Sequence, residues 1–571
     1  MKKKILLLLL LPLFYMGCKK DFLEKLPLDR LSDDTYWTTE ANVKTFAWSF
    51  YPRYFPGYAS GFDLGWGGFF TGQALNDDVA SSSTFTKNLP TSNGTWSGAF
   101  SWIRRSNLYI AKIATVPMPQ EAKNHWTGVA KFFRAMEFAD RVNDFGDFPW
   151  YGRVLSETDP ELYRARDPRT LVMDSVLSDF KYAAANVRAK DGDKTTVNKY
   201  VVLAMMSRVF LFEGTWQKYH LNNEAKSAEY LEAAKWAANE VITKGGYTVA
   251  PDYKSLFISP DLSANSEVIL YRRYETGLLT HSLAAYVNKE AQTGYTKDAV
   301  DSYLGKDGLP IKLSAVYLGD KTVYVGTAKK SGAMINRDTR INKTFVDSLR
   351  VTGYVKEYGY STTGYAVHKF LNEAVKEQAD GLGQTNTSDA PEIRYAEVLL
   401  NYAEATAESG TLTQADLDMS VNKLRNRADI KMPSLQVLGG QPAVNNIIYD
   451  DPDRDPMVPS LIWEIRRERR VELMMEGFRL DDLRRWKKLE YVDHLQKKNT
   501  NLGAWIKRSD YPKAISVKID GNAAEGYILP VESAASWRIF DNPRVYLNPI
   551  GPDQIQLYKD NGVTLTQNPG W

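Results

Sequence analysis

Glu468 and Glu472 stand one helical turn apart on the apolar stripe that also carries Leu461, Ile465 and Met475. Two carboxyls at that spacing could serve as a general acid and base. Seven arginines lie close by in sequence: Arg466, Arg467, Arg469, Arg470, Arg479, Arg484 and Arg485. Guanidiniums hold neighbouring acids ionised, and charge in a core is costly unless paired and hydrogen-bonded. The pattern therefore reads as a buried network of arginine–carboxylate forks. It does not read as a nucleic-acid surface, because Glu464, Glu468, Glu472, Glu476, Asp481 and Asp482 interleave with the arginines and cancel their field.

Other candidate chemistry is sparse. No H-E-x-x-H, G-x-S-x-G, G-x-G-x-x-G or Walker A pattern occurs. His125, His220, His281, His368 and His494 stand far apart, none at metal-ligand spacing, and neither a cofactor nor a metal is expected. Asp77 and Asp78, beside Asn76, are the acids best placed to face a ligand or a cation, with a turn or helix cap as the alternative. Between Tyr51 and Gly98 eight glycines punctuate a run bearing Tyr54, Tyr58, Phe62, Trp66, Phe69, Phe70, Phe85 and Trp96. Glycine breaks regular elements, so this reads as a long loop with its own aromatic residues, a type that is commonly functional. Trp96, Phe100, Ile103 and Asn107 keep helical spacing; Phe100 and Ile103 read as core, and Trp96 as a residue at the mouth of the loop.

Cys18 is the sole cysteine. Lys2, Lys3 and Lys4 precede an apolar run from Ile5 to Met16, and Gly17 stands before the cysteine. That run makes a helix of about 18 Å, too short for a hydrocarbon core of about 30 Å, so residues 1–17 read as a cleaved secretory signal. A signal ending in a lone cysteine predicts thioether lipidation at Cys18 and a membrane-tethered, extracytoplasmic protein. With Cys18 so used, disulfides and thiolate metal sites are excluded. The composition, 43% hydrophobic and 25% charged, is that of a folded chain. The 72 basic and 69 acidic residues are too balanced for nucleic-acid binding.

Most of the elements that must position these residues are helices. Helical periodicity runs over 32–50, with Ser32, Asp33 and Asp34 at its start, then over Val129 to Ala139, 170–189, 199–213 and 226–244. The last carries a small-residue face of Ala228, Ala233, Ala234, Ala237 and Ala238, as stacked helix hairpins require. Short strands among loops are expected around 314–327 and 351–369. Helices return at 393–409, 416–428 and 461–489, and an irregular tail follows 505. The predicted fold is mainly α: an array of helix pairs bearing a loop-rich lobe, divided into residues 18–250 and 251–571.

Several stretches together resemble the SusD/RagB family of outer-membrane nutrient-binding lipoproteins. They are Arg134 to Phe138 (RAMEF) leading to Asp144 to Pro149 (DFGDFP), and Asn336 to Arg340 (NRDTR), with Thr339 where the family usually has proline. The run Ile393 to Ala405 (IRYAEVLLNYAEA), the run Glu468 to Trp486, and the terminal Asn568 to Trp571 (NPGW) complete the set. The resemblance implies tetratricopeptide-like helix pairs, no catalysis, and a SusC-like TonB-dependent β-barrel partner over which the lipoprotein acts as a cell-surface lid. It implies a glycan ligand, or a peptide for some members. The shared motifs are scaffold motifs, so no binding residue is carried over from the family.

The leading expectation is oligosaccharide capture on an aromatic platform, since sugar C–H faces stack on Trp and Tyr while acids and amides bond hydroxyls. Tyr58, Phe62, Trp66 and Trp96 are the expected stacking residues, with Asp77, Asp78, Tyr286 and Tyr295 beside them. Peptide capture, a glycoside hydrolase with a carboxyl pair about 5 to 9.5 Å apart, and a purely structural scaffold are the alternatives.

Overall fold

The computed structural model describes residues 36–61, 76–80, 89–190, 192–289, 294–351, 361–512, 517–540 and 542–571. Cys18, Phe62 and Trp66 lie outside the described residues, as do residues 32–35, where the first helix was expected to begin.

Helix α1 (Glu40–Trp48) starts where the Thr39 hydroxyl accepts from the Asn42 N–H. A glycine-marked segment leads to α2 (Gly94–Thr115), whose first turn is held by the Asn93 side chain accepting from the N–H groups of Thr95 and Trp96. That cap corrects the end of the expected loop: Gly94 and Gly98 belong to the helix whose spacing Trp96, Phe100, Ile103 and Asn107 keep. Then follow α3 (Gln120–Phe145), α4 (Arg169–Asn186), α5 (Lys199–Tyr219) and α6 (Glu224–Lys244), each packed on the one before it. Close approach of α5 and α6 depends on Gly214, where a Cβ would sit 2.7 Å from Leu231 Cγ. On α6 the buried face is Tyr230, Leu231, Ala234, Ala237, Ala238 and Val241; Ala228 is exposed and Ala233 half-buried, so the small-residue face is narrower than its alanines indicated.

Strand β1 (Val268–Arg272) pairs antiparallel with β2 (Ala390–Arg394), from which α8 (Tyr395–Glu408) emerges directly. Every residue of α8 is buried, between α6 and α9 (Ser460–Glu472). The helix expected over 461–489 is broken: Met475 (φ 69°) and Gly477 (φ 85°) are left-handed, and the chain restarts as α10 (Arg479–Arg485). The helix expected over 416–428 is likewise split, at Ser420. Between β1 and β2 lie a short helix, α7 (Leu283–Lys289), and a hairpin of Thr322–Val325 with Ala328–Ser331, where strands were predicted. The helices share one large apolar core, and the lobe around β1, α7 and residues 294–371 has a second. Among the described residues no helix is long and apolar enough to cross a membrane.

The two cores meet at a lattice of buried charge. Glu472 accepts from Arg394 (2.7 Å), Arg427 (2.7 Å) and Arg340 (2.9 Å); Glu468 takes Arg425 (2.8 Å) and Arg340 (2.7 Å). Arg394 also bonds Glu476 (2.6 Å) and Glu267 (2.9 Å), and Arg427 bonds Glu267 (2.6 Å). The expected network is therefore present, but none of its guanidiniums is among the seven nearest in sequence. Helix residues one or two apart do not face each other, so those arginines serve other acids: Arg466 pairs with Glu408, Arg469 with Asp482, and Arg485 with Glu404. Near neighbours along a helix were the wrong place to look for partners.

Burial alone would raise the pKa of Glu472, but Arg427, Arg394 and Arg340 outweigh it and hold the carboxyl well below its ordinary 4.5; Arg485 does the same for Glu404. A carboxyl depressed in the folded state gives stability that is present above its unfolded pKa and lost as pH falls towards the folded one. Folding stability measured by urea titration is expected to decline steadily as pH drops below about 4.5. Glu472→Gln, which strands three guanidiniums, is expected to lose about 3–5 kcal/mol at neutral pH and to flatten that acid dependence. A loss under about 1 kcal/mol would contradict the lattice's role.

Candidate functional site

An open groove of about 570 Å³ is built by three segments far apart in sequence: the end of α1 with the turn behind it, the loop 192–196, and the end of β1. Lys44 and Trp48 stand one turn apart on α1, whose core-facing residues are Val43 and Ala47. Trp48 is thus on the polar face, 52% exposed, with the Lys44 ammonium 5.9 Å from its ring centroid. Tyr51 lies next to it and accepts the Val197 N–H at 2.8 Å, while the Tyr271 N–H donates to the Lys194 carbonyl at 3.0 Å. These two bonds fix the loop that presents Asp193, Thr195 and Thr196. Arg272 reaches back to the Pro56 carbonyl, and Arg273 is largely exposed, 3.0 Å from Glu275.

A second cavity of about 560 Å³ shares Asp193, Tyr271 and Arg273 with the first and extends it past Asp261, Ser263, Glu275 and Thr276. At its floor Asp389 is buried, accepting from the N–H groups of Leu262 (3.0 Å) and Tyr274 (2.8 Å), and burial pushes its carboxyl up to about 6. It anchors two loops and is closed to solvent. The joined surface offers one open indole face bordered by hydroxyls, carboxylates and guanidiniums, which is the equipment for stacking on and hydrogen-bonding a polyhydroxylated ring.

The residues expected from sequence lie elsewhere. Trp96 has 0% exposure and packs edge-on against Phe145 and Phe148, so it offers no face to a ligand. Tyr58, Tyr286 and Tyr295 are buried in the lobe's core; Tyr58 packs against His281 and Phe370, and Tyr295 against Phe345. Asp77 and Asp78 are buried and bound by arginine: Asp77 takes a fork from Arg479 (2.7 and 2.6 Å), and Asp78 accepts from Arg470 (2.7 Å). Burial raises both, but Arg470 and Arg479 pull Asp77 below its ordinary value, whereas Asp78 stays raised. Their backbone pairs with residues 294–296, so these acids clamp the lobe to α9 and α10 and do not await a cation. Of the expected set, Asp77, Asp78 and Tyr295 are brought together, by structure and not around a ligand. Trp48 was missed, although an indole in line with Glu40 and Lys44, off the apolar stripe, is a legible signal.

A model of the SusD family matches residues 272–571. The chain belongs to the SusD family. Among curated SusD-family relatives, the SusD-like protein P38 of Formosa agariphila is 24% identical over 507 residues, covering 85% of this chain and 91% of its own. A SusD-like protein of Bacteroides ovatus is 24% identical over 513 residues, covering 85% and 83%. A solved SusD-like carbohydrate-binding protein from Bacteroides fragilis superposes with a TM-score of 0.66 at 21% identity, over 92% of this chain and 99% of that one. A laminarin-binding SusD-like protein does so with a TM-score of 0.55 at 17% identity, over 94% and 100%. These likenesses show the SusD-type fold, with its tetratricopeptide-like helix pairs.

The family motifs are scaffold here: Arg134 forks onto Asp179 (2.7 and 2.9 Å), and Arg340 of the NRDTR segment joins the buried lattice. Removing a buried ring costs both its transfer energy and a cavity. Trp96→Ala is expected to lower unfolding free energy by about 3–5 kcal/mol in denaturant titration; a loss under about 1 kcal/mol would mean the ring is not packed as described.

Proposed function

We propose that this protein is a cell-surface lipoprotein, anchored to the outer membrane through Cys18, that binds oligosaccharides and passes them to a SusC-like TonB-dependent transporter. The observation that carries the reading is the open groove at Trp48 on a SusD-family scaffold. Trp48 differs from a lone exposed ring in lying within a groove, and its border of Asp193, Thr195, Thr196, Arg272 and Arg273 matches the hydroxyls of a sugar. The names of solved relatives, carbohydrate-binding in one case and laminarin-binding in another, support the ligand class. The reading is capture without catalysis: Glu468 and Glu472 are bonded to guanidiniums, and Asp389 is sealed beneath the groove.

Isothermal titration against a panel of oligosaccharides and peptides is expected to find a glycan whose affinity drops about tenfold or more in Trp48→Ala, equivalent to at least about 1.4 kcal/mol. Unaltered affinity in that variant, or binding of peptides alone, would remove the reading. Incubation with polysaccharides is expected to release no reducing ends. Fatty-acid labelling of cells is expected to mark the wild-type chain and leave Cys18→Ser unmarked.

A further inference from the structure

A separate pocket of about 360 Å³ lies where α9 and α10 meet residues 298–311 and 491–499. Six cations line it against four carboxylates. Most of this charge is matched internally. Arg466 pairs with Glu408 (2.9 Å), Arg479 with Asp77 (2.6 Å) and Lys498 with Asp520 (2.7 Å). Arg470 pairs with Asp298 (2.8 Å), and Arg467 with Asp451. The remaining acids are answered from outside the lining, Asp301 by Lys297 (2.7 Å) and Asp453 by Lys312 (2.5 Å).

Lys497 is the exception. Among the described residues its ammonium has neither a carboxylate within ion-pair distance nor a hydrogen-bond acceptor. It rests 3.5 Å from the centroid of the Tyr491 ring. Burial pushes it below the ordinary lysine value, against the pull of Asp298 and Asp77. A half-buried ammonium with no carboxylate partner is open to an anion, and a ring face answers it on one side only. The half-buried indole of Trp463 stands in the wall, while Trp486 is buried behind the Arg466 guanidinium, 4.3 Å from its ring centroid. The pocket is at the small end of the ligand-site range, which suits one ring and not a chain.

We propose that this pocket is a second binding site, for a single sugar ring bearing an anionic group, a carboxylate or a sulfate ester, which the Lys497 ammonium receives while the Trp463 indole covers the ring. The site does not rest on the groove at Trp48. It gives the protein a means of distinguishing acidic from neutral saccharides.

The test is calorimetric titration of the full chain with an oligogalacturonate, its carboxyl-reduced neutral counterpart, and a sulfated galacto-oligosaccharide. The wild-type protein is expected to bind one or both acidic probes at least tenfold more tightly than the neutral one. Which acidic probe binds tells carboxylate from sulfate. Lys497→Met, which keeps the aliphatic stem, is expected to abolish that preference, and Trp48→Ala to leave it intact; loss of neutral-glycan binding in Trp48→Ala reports on the other groove alone. Equal affinity for acidic and neutral probes, or an acidic preference surviving Lys497→Met, would overturn the proposal. In the unaltered protein, the preferred acidic probe is expected to slow acetylation of Lys497, followed by peptide mass spectrometry, relative to exposed Lys321. Equal labelling of the two with and without probe would also overturn it.

Discussion

The rest of the structure depends on a buried lattice of guanidiniums and carboxylates centred on Glu472. It ties together five places that sequence separates widely: the residue before β1 (Glu267), the NRDTR segment (Arg340), the joint of β2 with α8 (Arg394), the turn after the split helix (Arg427) and the end of α9. Apolar contacts tolerate sliding, whereas a forked guanidinium bonded to two acids does not. An ion pair of this kind need not add net stability over well-packed hydrophobic residues. What it supplies is one arrangement in which every charge is answered, and that arrangement fixes the loop-rich lobe against the helical array. A second clamp, Asp77 and Asp78 on Arg470 and Arg479, does the same for the segment 76–80.

These clamps explain where the aromatic residues went. A chain with 33 Tyr, 23 Phe and 14 Trp has more rings than any ligand platform needs. Most fill the two cores, where each brings a large buried area. Trp96, Tyr58, Tyr286 and Tyr295 were singled out for sitting near glycines or in loop-like sequence, yet each packs inward: Trp96 from a helix capped by Asn93, Tyr286 from α7, and Tyr58 and Tyr295 into the lobe's core. Trp48 faces outward because helical geometry gives it no alternative: with Val43 and Ala47 against the core, position 48 falls on the polar side.

The sequence made some levels of this fold legible and hid others, for physical reasons. Helices α3 to α6 follow from periodicity: α4 and α6 were placed within a few residues, whereas α3 and α5 extend well beyond the stretches whose spacing marked them. The burial of Glu468 and Glu472 was legible too, because two acids on an apolar stripe require partners. The identity of those partners was hidden, since Arg340, Arg394, Arg425 and Arg427 arrive through tertiary structure. The break after Glu472 was also missed: Met475 in a left-handed conformation carries no compositional mark, and a single glycine such as Gly477 does not by itself end a helical pattern. The groove could not be read at all as a unit. Its walls come from residues 44–55, 192–196 and 270–273, brought together by tertiary hydrogen bonds of Tyr51, Lys194 and Arg272.

The contrast between rigid clamps and an open groove bears on what a delivery protein requires. A receptor that hands its ligand onward must release it, so affinity must come from contacts that dissociate readily. One half-exposed indole supplies modest apolar burial, and hydrogen bonds at a solvated rim each contribute little net free energy, because water competes for the same donors and acceptors. Deep, fully desolvated contacts would bind more tightly and let go more slowly. On the proposed reading, a shallow groove on a stiff frame answers both needs. The frame keeps Trp48, Asp193 and Arg273 in place, so little ordering cost is incurred on capture, and the exposure of the same groups to water keeps escape fast.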